Sequence, residues 1–337
     1  MAVLGIEGTA HTLGVGVVEP EDGRPGRCRI LSNVRDMLHP DEGGIHPREA
    51  AHHHSDKGPA ILRAAVDEAG IALPDLEGIA FSQGPGMGPC LRVGATMARA
   101  LAARYDLPLL GVNHCVAHLE IGRALTAALD PVLLYASGAN TQVIALVRGR
   151  YRVFGETLDV GIGNALDKFG REQGIPFPGG PEVERLAREA DSSALLPLPY
   201  VVKGMDTSFA GLVSAGSRLI VDGASLANVC HAIQETAFAA LVEVAERAMA
   251  HTGKDELILG GGVACNSRLQ EMARIMCEER GARMFCPPRS VLVDNGAMIA
   301  WLGHLKLQAG DVTTFAQSGV LPHQRTDMVP VSWAVPA

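Results

Sequence analysis

At 337 residues, with 47% hydrophobic and 20% charged side chains, the chain has the composition of a well-packed soluble protein, and its length favours two domains over one core. No apolar run reaches the ~18 residues that a membrane helix needs, which excludes a membrane-spanning helix. A formal net charge of −8 excludes a protein that grips nucleic acid with its whole surface, so any such partner needs a local basic patch or a helper subunit.

The chain opens with strand signals: VLGIEGT, then HTLGVGVVE, a turn at DGRPGR, and RCRILSNVR. The start MAVLGIEGTAHT carries no basic segment and no small-residue cleavage site, so no signal peptide is expected. Seven scattered cysteines without a C-x-x-C pair read as reduced thiols of a cytoplasmic protein. His52, His53 and His54 follow in a helical stretch, where neighbouring residues diverge by about 100°. They are expected to lie on a mixed, exposed helix face.

Next comes an apolar strand running into a Gly-rich turn and helix, GIAFSQGPGMGPCLRVGATMARALA. Pro85 and Pro89 remove amide donors from that turn and no ribose-binding acid follows, so a dinucleotide site is disfavoured. In NHCVAHLE, His114 and His118 stand four residues apart, on one face of a helix, where two imidazoles can take two corners of a metal site. By itself the pair is weak evidence: 12 histidines supply about 0.4 such pairs by chance. Cys115 stands where a zinc peptidase needs a Glu, and Glu120 lies about 200° round from His118, pointing away from a shared ion.

The opening pattern restarts at Val132 with VLLYASGANTQ, TQVIALV, the turn RGR and YRVFGETLD. A second strand, Gly-rich turn and helix follows later as ELILGGGVACNSRLQEMARIMCEE, so the architecture reads as a duplicated α/β fold. Between them DVGIGNALDKFGREQGIPFPGGPEVERLA places Asn164, Asp167, Lys168 and Arg171 on one polar helix face and Glu184 in the first turn of the next helix. Near the end, SVLVDNGAM reads as an apolar strand-like run that delivers Asp294, with Asn295 and Gly296 turning the chain into a helix.

Taken in order, GIEGTAHT, GGIHPREAAHHH, FSQGPGMGPCLRVGA, NHCVAHLE, YASGANTQVIA, GRYRVFGETLDVGIGNALDKFGRE, FPGGPEVERLA, VKGMDTSFAGL, LGGGVACNSRL, VLVDNGAMIAW and QRTDMVPVSW resemble the archaeal branch of the universal tRNA threonylcarbamoyltransferases, the catalytic subunits of KEOPS complexes. The resemblance implies a duplicated actin/hexokinase-like (ASKHA) fold, with lobes over residues 1–130 and 131–337, a helical insertion around 160–230, and a nucleotide cleft. It implies transfer of the threonylcarbamoyl group from threonylcarbamoyl-adenylate to N6 of the adenosine adjoining the anticodon, in tRNAs reading codons that begin with A. Position by position, the metal ligands would be His114, His118, Tyr135 and Asp294, holding one iron or zinc ion. The adenylate would touch Tyr135, Ala136, Ser137, Gly138, Ala139, Asp167, Gly180, Glu184 and Asn266, with magnesium accompanying an adenine nucleotide. In the first hairpin, Ala10, His11 and Thr12 stand where bacterial members carry adjacent acids, so no carboxylate base is assigned there.

The implied partners are tRNA and other KEOPS subunits, among them a small kinase/ATPase acting in trans, since no kinase-like segment follows before Ala337. The helices around Pro47 to Ala69 and Leu91 to Tyr105 are candidate docking surfaces. No membrane association is expected. The rival readings are a metalloprotease, a sugar or acetate kinase of the same fold class, and a non-catalytic nucleotide-binding scaffold.

Overall fold

The computed structural model describes residues 2–40, 44–191 and 195–333. Gly43 of the GGIHP stretch and the terminal Ala337 lie outside them. The chain opens with β1 (Val3–Glu7), β2 (Thr12–Pro20) and β3 (Cys28–Met37), followed by α1 (Pro47–Ala69), β4 (Gly78–Gly84), α2 (Gly88–Tyr105), β5 (Leu109–Asn113) and α3 (His114–Leu125). Their sheet runs in the order β3-β2-β1-β4-β5, antiparallel within the first three strands and parallel from β1 to β4 to β5.

The pattern then recurs. β6 (Val132–Ala136), β7 (Thr141–Val147) and β8 (Arg150–Glu156) precede α4 (Ile162–Glu172), α5 (Gly179–Ala187), the short ribbon of β9 (Val202–Lys203) and β10 (Asp206–Thr207), α6 (Ala210–Val221) and α7 (Leu226–Thr252). β11 (Glu256–Gly260), α8 (Ser267–Glu279) and β12 (Arg283–Phe285) complete a second sheet in the order β12-β11-β6-β7-β8. Read from the third strand inwards, both sheets share one plan, which is the duplication the repeated openings announced.

The remaining α-helices among the described residues are α9 (Arg289–Leu292) and α10 (Gly296–Gln308). Compactness divides the chain into one unit of Met1–Leu129, Arg148–Tyr151 and Pro288–Ala337, and a second of Asp130–Val147 and Arg152–Pro287. The first break falls between Leu129 and Asp130. The segment after Pro288 packs with the first unit, because α10 lies on β1, β2 and β4 and buries an unbroken run from Gly296 to His304.

In the first unit Leu4, Ile6, Leu13, Val15, Val17, Ile61, Ile79 and Phe81 form a dry core between the sheet and α1 and α2. Each such side chain contributes about 1.5–3 kcal/mol when fully buried. On the opposite face α10 approaches the strands at a distance only glycine permits. A Cβ on Gly5 would lie 2.2 Å from the Ala300 nitrogen, and one on Gly16 would lie 2.5 Å from that of Ala297.

The expected exposed face of His52 to His54 is corrected. Only His52 is exposed; His54 is completely buried, in line with Ala50, Gly58, Ile61 and Ala65 at helical spacing on the inner stripe of α1. Its Nδ1 lies 3.3 Å from Nδ1 of His53, whose Nε2 meets Asp36 Oδ1 at 2.7 Å. Burial, with the charges of His53 and His11, lowers the His54 pKa to about 4 despite the opposing Ala10 carbonyl.

Below about pH 6.5 the unfolded chain takes up a proton at this ring that the folded chain refuses until about pH 4, so the fold loses stability as pH falls through that window. We expect this ring to cost up to about 3 kcal/mol by pH 4.5. Urea unfolding of wild type and His54→Gln at pH 7.5, 6 and 4.5 checks it: the gap between the two proteins should narrow as pH falls, and a constant gap would rule the mechanism out.

Candidate functional site

α3 begins where Asn113 turns its side chain onto the Val116 amide, an N-cap that fixes the first turn carrying His114. One turn later His118 follows on the same face, with the two ring centroids 4.9 Å apart. Asp294 arrives between α9 and α10. The expected strand-like run before it is corrected: Arg289–Leu292 is a single helical turn after Pro288, and Asn295 then caps α10 by accepting from the Met298 amide. Asp294 Oδ1 lies 3.4 Å from Nε2 of His114 and 3.4 Å from Nε2 of His118.

These three donor atoms lie within 4.8 Å of one another in the first unit. Ligand bonds of about 2.1 Å at tetrahedral angles have edges of about 3.4 Å, so the residues present fit a metal ion. The electrostatics agree. Burial pushes the His118 pKa down, keeping a lone pair available. Burial would raise Asp294, but the two histidines overcome it and hold the carboxyl well below its ordinary range. Behind His114, its Nδ1 lies 3.0 Å from Oε2 of the fully buried Glu7.

The opposite face of α3 carries a second polar cluster. Glu120 points away from the histidines, as its position round the helix requires, and is buried. Its carboxylate accepts from the Tyr151 hydroxyl, from Trp333 Nε1 at 3.0 Å and from Arg123 Nη1 at 3.1 Å. Earlier in the same C-terminal stretch, Gln324 Oε1 accepts from Asn113 Nδ2 at 3.2 Å. The tail thus clasps the histidine-bearing helix at its cap and along its back. Nothing in the local pattern of QRTDMVPVSW announces these contacts, since both partners lie some two hundred residues away.

The remaining predicted residues belong to the second unit. Tyr135, buried, pairs with Gln142 near the end of β6, Ala136 closes that strand against Thr141, and Ser137 to Asn140 form the turn into β7. α4 closes on that turn: Gly163 and Asn164 donate their amides to the carbonyls of Ser137 and Gly138 at 3.0 and 2.9 Å. Gly261 lies against it from the β11 side, at φ +88°, where a Cβ would meet the Ala136 carbonyl at 2.3 Å.

Asp167 on α4 accepts from the Gly179 amide at 2.8 Å, bringing the N-terminus of α5 alongside. At Gly180 a Cβ would meet nothing closer than 3.9 Å, so packing does not demand glycine there. Asn266 caps α8 through its Oδ1 and donates to Gln234. Glu184 is corrected to the second turn of α5, the first being occupied by Glu182. Burial works to raise the Glu184 pKa, but hydrogen bonds from the side chain and amide of Ser267 and from Arg188 hold it below its ordinary value. Helix α8 and Arg188 set that charge, not the start of its own helix.

A profile of the tRNA N6-adenosine threonylcarbamoyltransferase family matches residues 29–301. A Methanosarcina acetivorans protein named probable bifunctional tRNA threonylcarbamoyladenosine biosynthesis protein is 53% identical over 98% of this chain, which spans only 59% of that protein's length. A Thermococcus kodakarensis protein named tRNA N6-adenosine threonylcarbamoyltransferase is 53% identical over 99% of this chain and 100% of its own. Among solved structures, T. kodakarensis HypF aligns with a TM-score of 0.64 at 16% identity, over 91% of this chain and 48% of that one. The ROK hexokinase from Thermus thermophilus aligns with a TM-score of 0.50 at 16% identity, over 91% and 99%. These likenesses carry the fold alone, and the fold is of the actin/hexokinase type.

Two outcomes follow from the geometry. The double variant His114→Ala, His118→Ala should remain folded and purify without metal; elemental analysis showing wild-type content would exclude this site. Trp333→Phe removes one donor to a buried carboxylate and should lower stability by about 2 kcal/mol in urea unfolding, since a hydrogen bond to a charged group contributes on that order.

Proposed function

The chain belongs to the family of tRNA N6-adenosine threonylcarbamoyltransferases, and from that membership we propose that it transfers the threonylcarbamoyl group of threonylcarbamoyl-adenylate to N6 of the adenosine adjoining the anticodon, in tRNAs reading codons that begin with A. The observation that carries this reading is the set of His114, His118 and Asp294, whose spacing suits a metal ion, within a chain of this family.

In this reading the ion is iron or zinc, one per chain, and Tyr135 is assigned to it as a fourth ligand by the family resemblance. When bound, it supplies Lewis acidity toward the carbamate carbonyl and offsets charge near the phosphate. The two imidazoles and the carboxylate provide a nitrogen and oxygen donor set suited to either metal. The adenylate is assigned to the turn from Tyr135 to Ala139, to Asp167, Glu184 and Asn266, and to Gly180 in the N-terminal turn of α5, where no neighbour lies closer than 3.9 Å to a Cβ position. N6 attacks the carbamoyl carbon, AMP departs with the bonding pair, and N6 gives up a proton. Magnesium accompanies the adenine nucleotide where one binds.

Nothing favours a peptidase: Cys115 stands beside His114 and the carboxylate of Glu120 is occupied on the other face of α3. No helix among the described residues is long and apolar enough to cross a membrane, and we assign the protein to the cytoplasm. At a net charge of −8 it needs help to hold tRNA. KEOPS-type subunits, including a small kinase/ATPase, are the proposed helpers, with α1 and the Leu91 to Tyr105 part of α2 as docking surfaces.

Mass spectrometry of nucleosides from tRNA incubated with threonylcarbamoyl-adenylate tests the activity. The chain with its partner subunits should form threonylcarbamoyladenosine at least tenfold faster than the chain alone. No product even with partners would leave only a nucleotide-binding scaffold. Calorimetry with a stable adenylate analogue should show weaker binding for Asp167→Ala, Glu184→Ala and Asn266→Ala; three unchanged affinities would move the ligand elsewhere.

A further inference from the structure

Glu7 closes β1 and is fully buried, where the oxygens of its side chain need hydrogen-bond partners. They have them. Oε1 accepts from the Thr9 amide at 2.8 Å and from the Thr9 hydroxyl at 2.5 Å, both within the first hairpin turn. Oε2 faces His114 Nδ1 at 3.0 Å, across 107 residues of sequence. The imidazole is therefore gripped between two carboxylates, Glu7 at Nδ1 and Asp294 at 3.4 Å from Nε2.

An imidazole presents only one nitrogen to a metal, and the proton on the other decides which. With Nδ1 carrying the hydrogen that Glu7 accepts, the lone pair belongs to Nε2, the atom beside Asp294. The opposite tautomer would set a ring lone pair against a buried carboxylate oxygen at 3.0 Å while aiming its hydrogen into the proposed metal position. We infer that Glu7 is a positioning residue for metal binding: it selects the Nδ1–H form of His114, holds the ring plane, and through Thr9 ties the first hairpin turn to that ligand. The inference rests on the metal reading of His114, His118 and Asp294, and assigns to the GIEGT turn a role in metal retention.

Zinc serves as the probe, because it is diamagnetic. Wild type, Glu7→Gln and Glu7→Ala are loaded, affinities are measured by competition with a chromophoric chelator, and the histidine ring N–H protons are followed by NMR on ¹⁵N-histidine-labelled protein. Partners that orient a metal-binding histidine typically contribute 10- to 100-fold in affinity. Glu7→Gln keeps an acceptor of the same shape without the charge and should bind zinc about 10-fold more weakly; Glu7→Ala should lose about 100-fold. The wild-type His114 Nδ1–H resonance, far downfield as expected for a proton shared with a carboxylate, should move upfield in Glu7→Gln. A general loosening of the fold would not produce that shift with an unchanged melting temperature. Equal zinc affinity and an unmoved resonance in Glu7→Gln would overturn the inference while leaving the metal site standing. A wild-type chain that takes up no zinc would overturn both.

Discussion

The first unit depends on how closely α10 can approach the β1–β2 hairpin. Gly5, Gly14 and Gly16 on the strands face Gly296, Ala297 and Ala300 on the helix at backbone distance, and a Cβ on Gly296 would lie 2.2 Å from the Gly16 nitrogen. No rotamer change relieves such a clash, because the opposing atoms are main chain. The residue before α10's cap is Asp294, and the residue that ends β1 is Glu7. Seating the helix on the strands therefore brings two carboxylates to the two nitrogens of one imidazole. A larger residue at Gly5 or Gly16 would move Asp294 along with the helix.

The helix between those carboxylates is unusual in having almost no solvent face. Every residue from His114 to Ala124 is buried, yet five of them, His114, Cys115, His118, Glu120 and Arg123, are ionisable or metal-capable. Burying such groups is tolerable only where each finds a partner. One face resolves this with Glu7 and Asp294, the other with the clasp of Glu120 by Tyr151, Arg123 and Trp333. Polar groups on both faces restrict the helix to one rotation and one height, which is what the proposed metal site would require of the element that carries His114 and His118.

The second unit uses glycine differently. Gly161 and Gly163 let α4 press against the turn after β6, and Gly261 lets the β11 loop do the same from another side. The turn is thereby fixed by two segments, and Asp167 and Asn266 spend side-chain hydrogen bonds on the starts of α5 and α8. A pre-ordered loop of this kind loses less entropy when a ligand arrives. At Gly180 no neighbour crowds the backbone, so packing does not account for glycine there.

Much of this was legible in the amino-acid order, because strand alternation, turn chemistry and helix period are local. The repeated strand openings announced two equivalent sheets, Asn113 and Asn295 marked helix starts, and a four-residue spacing put His114 and His118 on one face with Glu120 turned away. Local pattern sets the direction of a side chain about its own element; it does not say what waits there. Only docking decided that Asp294 meets His118 across 176 residues, that Trp333 reaches Glu120 across 213, and that His54 alone of three consecutive histidines falls beneath a helix packed on strands. Glu184 shows the same division: its helix was foreseeable, whereas its charge state is governed by Ser267 at the start of another helix, because electrostatics follows distance in space and not separation along the chain.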